Sequence, residues 1–208
     1  MHNISYWLNK VGFSFANRFI VFFFGFASYF LMVRHLEKED FGVYSIFFVI
    51  IMITELAISA FVQNGFIKYY LDKKYEKNEI FVASLVLNLG LTMASSLVLF
   101  SLSEFAGDFY GHSELSTMLK IHCINAFLLV PYTQLYYYLN AEVDFKSISL
   151  LSLIRFGSFF VAVLVSFFFF PEVDQVGFVK LQTCSIGIGA LASLYHLRKI
   201  EFSLRNFK

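Results

Sequence analysis

Arg18, Glu55, Asn88, Lys120, Arg155 and Lys180 each lie inside, or near the end of, a long run rich in Phe, Leu, Ile and Val. A charge at the centre of a hydrocarbon layer costs roughly 2.5–3.5 kcal/mol on insertion scales, so such residues are expected to face protein or a wet cavity. The chemistry this set supports is binding. Guanidinium groups grip phosphate in bidentate fashion and keep their charge at any relevant pH. Glu55 and Asn88 are more polar than helix packing requires, and a polar lumen accounts for them. The chain has no P-loop and no metal-ligand spacing, so neither a cofactor nor covalent chemistry is expected.

The elements that position these residues are membrane helices. Of 208 residues, 58% are hydrophobic, 20% are aromatic and 29 are Phe, with a mean hydropathy of +0.67. A water-soluble domain could not hide that much apolar surface. A hydrocarbon core of about 30 Å takes about 20 helical residues. On that scale the runs predict an all-α bundle of six spans, at about 11–33, 42–66, 81–103, 115–138, 149–170 and 176–197. They form a single transmembrane domain over 1–208, ending in a short cytoplasmic tail at 198–208, which reads either as a surface-lying segment or as the start of a linker. The N-terminus lacks the pattern of a cleaved signal peptide, so the first span is expected to remain.

Orientation follows from the charges between spans. Lys10, Lys68, Lys73, Lys74, Lys77, Lys146, Arg198, Lys199, Arg205 and Lys208 fall on one side; Arg34 and Lys38 are the loop cations on the other. That asymmetry places both termini in the cytoplasm. The net charge of +1 and the lack of a basic stripe make no case for nucleic acid as a partner; membrane lipids are the expected surroundings. Cys123 and Cys184 stand alone in apolar runs and are expected to be small buried hydrophobes.

Depth sorts the charges into tiers. Arg18 and Arg155 both sit roughly 10 Å in from the cytoplasmic side, and Glu55 about 16 Å from it, counting about 1.5 Å per residue; an Arg18–Glu55 contact is geometrically open. Lys120 and Lys180 enter from the opposite side, with His122 near them. The bland alternatives are that both lysines snorkel to the headgroups, that Arg18 is a structural partner of Glu55, and that His122 is a core histidine. Polar stripes at helical spacing run through Ser14, Arg18, Gly25 and Ser28, through Ser45, Met52, Glu55, Ser59 and Gln63, and through Ser84, Asn88, Thr92 and Ser95. Packing of small residues explains part of each stripe. Pro131 is expected to kink the fourth span, and Gly187 and Gly189 to permit close approach in the sixth.

The brief polar stretch Arg34–Ser45, RHLEKEDFGVYS, predicts that the first two spans form a helical hairpin. Its Arg34, Leu36, Glu39, Asp40, Phe41, Gly42, Tyr44 and Ser45 resemble the segment between the first two helices of bacterial polysaccharide-export flippases, the oligosaccharidyl-lipid branch of the multidrug and lipid-flippase superfamily. QNGFIKYYLD, with Gly65, Lys68, Tyr69 and Tyr70, and the stretch Leu139–Ile154 resemble two further family segments. The resemblance covers the N-terminal six-helix lobe of a two-lobe architecture. It implies an O-antigen-type flippase of the bacterial inner membrane, moving an undecaprenyl-diphosphate-linked oligosaccharide for lipopolysaccharide or other surface polysaccharide by alternating access. A second lobe is then expected, either from a second copy of the chain or from another protein, unless the chain is a truncated product. Arg18 and Arg155 fit the cationic cavity that accepts the diphosphate. Three rival readings are a drug or cation antiporter of the same superfamily, a noncatalytic half-transporter or assembly subunit, and a transferase using Glu104, Asp108, His112 and Glu114.

Overall fold

Long apolar runs in a bilayer must satisfy their own backbone hydrogen bonds, which leaves the helix as the economical form. The computed structural model describes residues 4–198, with side chains from residue 10 onward. It contains α1 (Ile4–His35), α2 (Lys38–Leu71), α3 (Lys77–Tyr110), α4 (Ser113–Ala141), α5 (Phe145–Phe169) and α6 (Gln175–Leu197). Among the described residues, six helices are long and apolar enough to cross a membrane. Most overrun the predicted spans, because a helix continues through the headgroup zone until a cap or turn stops it. Asp144 and Asp174 cap α5 and α6, accepting from the Ser147 amide at 3.1 Å and the Gly177 amide at 2.7 Å. Gly111, at φ 75°, ends α3 in the left-handed conformation that suits glycine. The tail beyond Arg198, including Lys199, Arg205 and Lys208, lies outside the described residues.

Neighbours in sequence are not neighbours in space. The polar stretch after α1 is mostly helical, leaving only Leu36 and Glu37 between α1 and α2. Yet these helices do not pair along their length, which corrects the expected hairpin. They meet near the connection, where the Tyr29 ring packs edge-on to Phe41 at 5.0 Å and the Tyr29 and Ser45 hydroxyls lie 3.5 Å apart. Below that, α1 follows α5. Ser149 Oγ donates to the Phe13 carbonyl at 2.9 Å, and the Phe24 ring meets Phe160 at 5.4 Å. Both contacts keep an offset of 136 positions, so the two helices run parallel in constant register. A two-residue link constrains helix ends alone; side-chain contacts choose the partner.

The remaining pairings are α3 with α4, α4 with α6, α5 with α6, and α2 with both α3 and α4. Helix α4 is thus the central member. It passes through Pro131 as one continuous helix. The α3 polar stripe meets α4: Asn88 Nδ2 donates to Thr133 Oγ1 at 3.0 Å, and Gln134 Nε2 donates to Ser84 Oγ at 2.6 Å and to the Phe81 carbonyl at 3.2 Å. Without water as a competitor, such bonds and close small-residue packing hold membrane helices together.

Apolar clusters sit toward both ends of the bundle. Met32, Tyr44, Phe47, Leu115, Met118 and Phe178 belong to one near the Lys38 end; Val62, Phe66, Phe81 and Tyr137 belong to another near the Lys77 end. Polar Asn88, Thr92, His122, Asn125 and Ser152 are buried between them. At the Lys77 end, Glu142 Oε1 accepts from Tyr70 Oη at 2.7 Å and from Lys77 Nζ at 2.8 Å, tying α2, α3 and α4 together. Lys77, with Tyr70 beside it, holds the Glu142 carboxyl below its ordinary range. The outside is lipid-like: on α1, Phe19 stacks on Phe23 at 5.8 Å and Phe22 on Phe26 at 5.9 Å, all of them exposed. Cys184 is also exposed and Cys123 only half-buried, which corrects their reading as buried residues.

Candidate functional site

Because α1 leans on α5 and leaves α2, a cleft opens between them, with α4 behind it. Its middle is a cavity of about 380 Å³ lined by Glu55 and Ser59 of α2, Asn88, Thr92 and Ser95 of α3, His122, Tyr132 and Thr133 of α4, and Ser152 and Arg155 of α5. Toward the Lys38 end the cleft becomes a cavity of about 510 Å³ walled mainly by Val21, Phe22, Gly25, Phe26 and Met32 of α1, Tyr44 and Phe48 of α2, and Phe159 and Ile186. Val21, Arg155 and Phe156 line both. Both cavities are lined mainly by apolar side chains, the middle one also carrying Glu55, Asn88, Thr92, His122 and Thr133, and they meet at Arg155.

Arg155 is held by its surroundings. Its guanidinium carbon lies 4.6 Å from the centre of the Tyr132 ring and 5.0 Å from that of Phe156, where the aromatic faces attract a cation. Its backbone carbonyl accepts from Ser158 Oγ at 3.0 Å and from Ser185 Oγ at 2.5 Å, which binds α6 to α5 at this level. Gly189 of α6 faces this point, where a Cβ would stand in ordinary contact, 3.4 Å from Arg155 Cβ and 3.7 Å from Tyr132 Cδ2. Among the described residues the ion pairs are Lys77–Glu142, His112–Glu39 and Lys120–Glu104, so Arg155 has no direct acidic partner. Glu55 faces the same cavity without reaching it. A fork of donors set between aromatic rings at the edge of a polar cavity is suited to a phosphate or other oxyanion.

The other candidates separate. Asn88 is buried at the α3–α4 seam, with its amide on Thr133, and also lines the polar cavity. Arg18 stands on α1 level with Ile154 by the constant register, so its depth matches that of Arg155. It lines a different cavity, of about 500 Å³, with Asn17, Tyr136, Asn140 and Phe145 at the Lys77 end of the bundle. The open Arg18–Glu55 contact is not made. Val21 and Tyr136 line both this cavity and the polar middle, so the two are contiguous.

The expected outer tier of lysines does not face the cleft. Lys120 Nζ binds Glu104 Oε1 at 3.0 Å on the exposed α3–α4 surface, and Lys180 is exposed on α6. Helical phase decides this: Leu119 and His122 are the buried neighbours on α4, and Lys120 is turned outward between them. His122 is buried against the Phe47 ring at 6.2 Å and lines the polar cavity. Of the acidic outer residues, Glu104 is paired with Lys120 and His112 Nε2 stands 3.8 Å from Glu39 Oε1. Tyr132, Thr133 and Ser152 were not singled out from the sequence. The polar-aromatic run after Pro131, YTQLYYYLN, was the available signal, because such residues are poorly suited to face lipid.

A family model described as "polysaccharide biosynthesis protein" matches residues 31–205. The matched region includes Glu55, Asn88, Lys120, Arg155 and Lys180 and begins after Arg18. No curated protein and no solved structure matches the chain.

Proposed function

The chain belongs to the polysaccharide biosynthesis protein family, and from that premise we propose that it translocates a polyprenyl-diphosphate-linked oligosaccharide, of the O-antigen type, across the bacterial inner membrane. It is a multi-pass membrane protein. The observation that carries the proposal is Arg155: a mid-helix cation without a direct acidic partner, held against Tyr132 and Phe156 where a cavity that carries Glu55, Asn88 and His122 among apolar side chains meets a more nearly apolar one. A lipid-linked sugar has the same division, and a diphosphate lies between its two parts.

Arg155 takes the diphosphate, with Glu55, Asn88 and Thr133 presenting polar groups to the sugar side. Arg18, in the contiguous cavity at the cytoplasmic end, is the first cation an entering headgroup meets. The work is binding and release, with no covalent step. Because the cleft is open between α1 and α2, a second bundle, from another copy or a separate chain, forms its opposite wall and alternates access.

The test uses the protein in proteoliposomes with a lipid-linked oligosaccharide bearing a fluorophore, whose exposure is read by membrane-impermeant quencher. The wild type equilibrates the probe between leaflets, whereas Arg155→Ala, inserted to the same level, slows it about tenfold or more through loss of a charge-assisted contact. Wild-type rates in Arg155→Ala overturn the assignment. A cation-coupled antiporter rests instead on Glu55, and would show as Glu55→Gln abolishing ion-driven efflux of a cationic dye while lipid transfer is absent in both proteins.

A further inference from the structure

On the Lys38 side of Arg155, polar side chains of α4 and α6 share a seam without bonding across it. We propose that this seam is a gate inside the bundle: the Lys38 half of α6 pivots at Ser185–Gly189, parts from α4, and lets water reach Arg155 from the Lys38 end. The gate is separate from the cleft between α1 and α2, and it operates whatever ligand Arg155 takes.

Register places the polar groups. Helices α4 and α6 run in the same direction, since Met118 and Phe178 belong to the apolar cluster near the Lys38 end while Tyr137 and Leu197 pack in the one near the Lys77 end. They touch where Gly189 faces Tyr132. Seven residues make nearly two helical turns, so the faces that meet there carry Asn125 and Gln182 two turns closer to the Lys38 end, and Met118 and Gln175 two turns beyond those. Asn125 is 0% exposed. Among the described residues, Asn125 Nδ2 and Oδ1 and the Oε1 atoms of Gln175 and Gln182 are buried without a hydrogen-bond partner. On α1, Ser28 Oγ and His35 Nε2 are in the same condition; the His35 ring stands 5.3 Å from that of Phe178 on α6, and Ser28 shares a cavity wall with Gln182.

On the other side of Gly189 the seam is apolar, with Ala192 and Leu197 packed against the cluster of Leu135 and Leu139. Between the two halves lies a pivot. Ser185 Oγ, bonded to the Arg155 carbonyl, ties α6 to α5 there, and a Cβ at Gly187 meets nothing within 4 Å, so the helix can bend at its glycines without collision. A polar group without a partner costs free energy in an apolar interior, and water on that side would relieve it. Opposing this, Phe178, Val179 and Met118 hold the seam shut by apolar contact. Gln182, Ser28 and Arg155 line one cavity, so water admitted at the seam reaches the guanidinium.

The sign of a stability change tests the seam. Replacing an unpaired buried polar group by an apolar one of similar size stabilises the closed bundle, whereas replacing a bonded one strands its partner and destabilises. Asn125→Leu and Gln182→Met are therefore expected to raise the thermal unfolding midpoint of the full chain in nanodiscs, and Asn88→Leu, which strips Thr133 of its donor, to lower it. Opening is read by the rate at which a charged, water-soluble thiol reagent modifies Ser28→Cys in a Cys123→Ala, Cys184→Ala background. That rate is expected to fall about tenfold when Asn125→Leu and Gln182→Met are added, because the closed seam has gained stability. Gly187→Ala, which adds a Cβ in open space but stiffens the helix, should slow the same reaction without lowering the midpoint.

A lowered midpoint, or failure to accumulate, for either Asn125→Leu or Gln182→Met means that the group is bonded in the closed bundle, to a neighbour or to a resident water, and overturns the proposal. So does a Ser28→Cys that never reacts, or one that reacts equally fast with and without the two apolar replacements. Unchanged reaction in Gly187→Ala overturns the pivot. None of these outcomes depends on lipid transfer, so the gate can fail while the assignment of Arg155 stands, and the reverse.

Discussion

Replacing Glu142 by Gln removes the carboxylate that joins α2, α3 and α4 at the Lys77 end of the bundle, and its effect should depend on pH in a defined direction. Lys77 Nζ and Tyr70 Oη meet the same oxygen, at 2.8 and 2.7 Å. The lysine and glutamate side chains are 59% and 39% exposed, so solvent screening limits that pair to about 0.2–1 kcal/mol. Tyr70 is only 4% exposed, and a hydrogen bond from its shielded hydroxyl contributes about 1 kcal/mol. Gln keeps an amide oxygen that can accept from Tyr70, so the loss expected in Glu142→Gln is the ion-pair part, about 0.2–1 kcal/mol at neutral pH. Lys77 and Tyr70 depress the carboxyl below its ordinary value of 4.5. A depressed acid stabilises the fold above its unfolded-state pKa, and that contribution disappears as pH falls through the lower folded-state value. Unfolding free energies in mixed detergent micelles, measured from pH 7 down to about pH 3, should show wild type and Glu142→Gln converging below pH 4.5. Tyr70→Phe should cost about 1 kcal/mol in wild type and less in Glu142→Gln, where the neutral amide oxygen accepts more weakly than the carboxylate. A gap that persists unchanged at the lowest pH, or Tyr70→Phe costing the same in both backgrounds, refutes the linkage.

Val143, in the short α4–α5 connection, has φ 57°, where a β-branched residue is strained by about 1–2 kcal/mol. Val143→Gly should stabilise the protein by up to about 1 kcal/mol after the entropy of glycine is deducted, read in the same micelle titration; a loss would show that the side chain contributes more than its strain. Gly111→Ala should cost about 1 kcal/mol from its left-handed φ of 75° alone, because a Cβ there meets nothing within 4 Å. Arg155→Lys keeps the charge but loses the forked donor geometry and the fit over Tyr132 and Phe156. Its transport in the proteoliposome assay should fall between wild type and Arg155→Ala, and a full wild-type rate would mean that only charge matters there.

The membrane class and the six helices were legible because they depend on local quantities. A run of apolar residues longer than a bilayer core, interrupted by charge, has few alternatives in lipid. The depth of Arg155 was legible for the same reason, as position along a helix converts directly to distance. Azimuth was not. Lys120 and His122 lie two positions apart on α4, yet one pairs with Glu104 outside and the other lines the cavity. Their facing is decided by which helices surround α4.

By itself the sequence determined that this chain is a helical membrane protein, how many times it can cross, and which few polar residues must find company there. Only the tertiary structure decided that company. The two-residue link between α1 and α2 leaves their pairing free; contacts such as Ser149 with the Phe13 carbonyl and Phe160 with Phe24 draw α1 to α5 instead. That choice opens the cleft, sends Arg18 and Glu55 to different cavities, and leaves Arg155 at the junction of two chambers, of which one carries Glu55, Asn88 and His122. Hydrophobicity is read residue by residue, whereas helix partnership is a sum of weak contacts between segments far apart in the chain, and only their packing reveals which sum is largest.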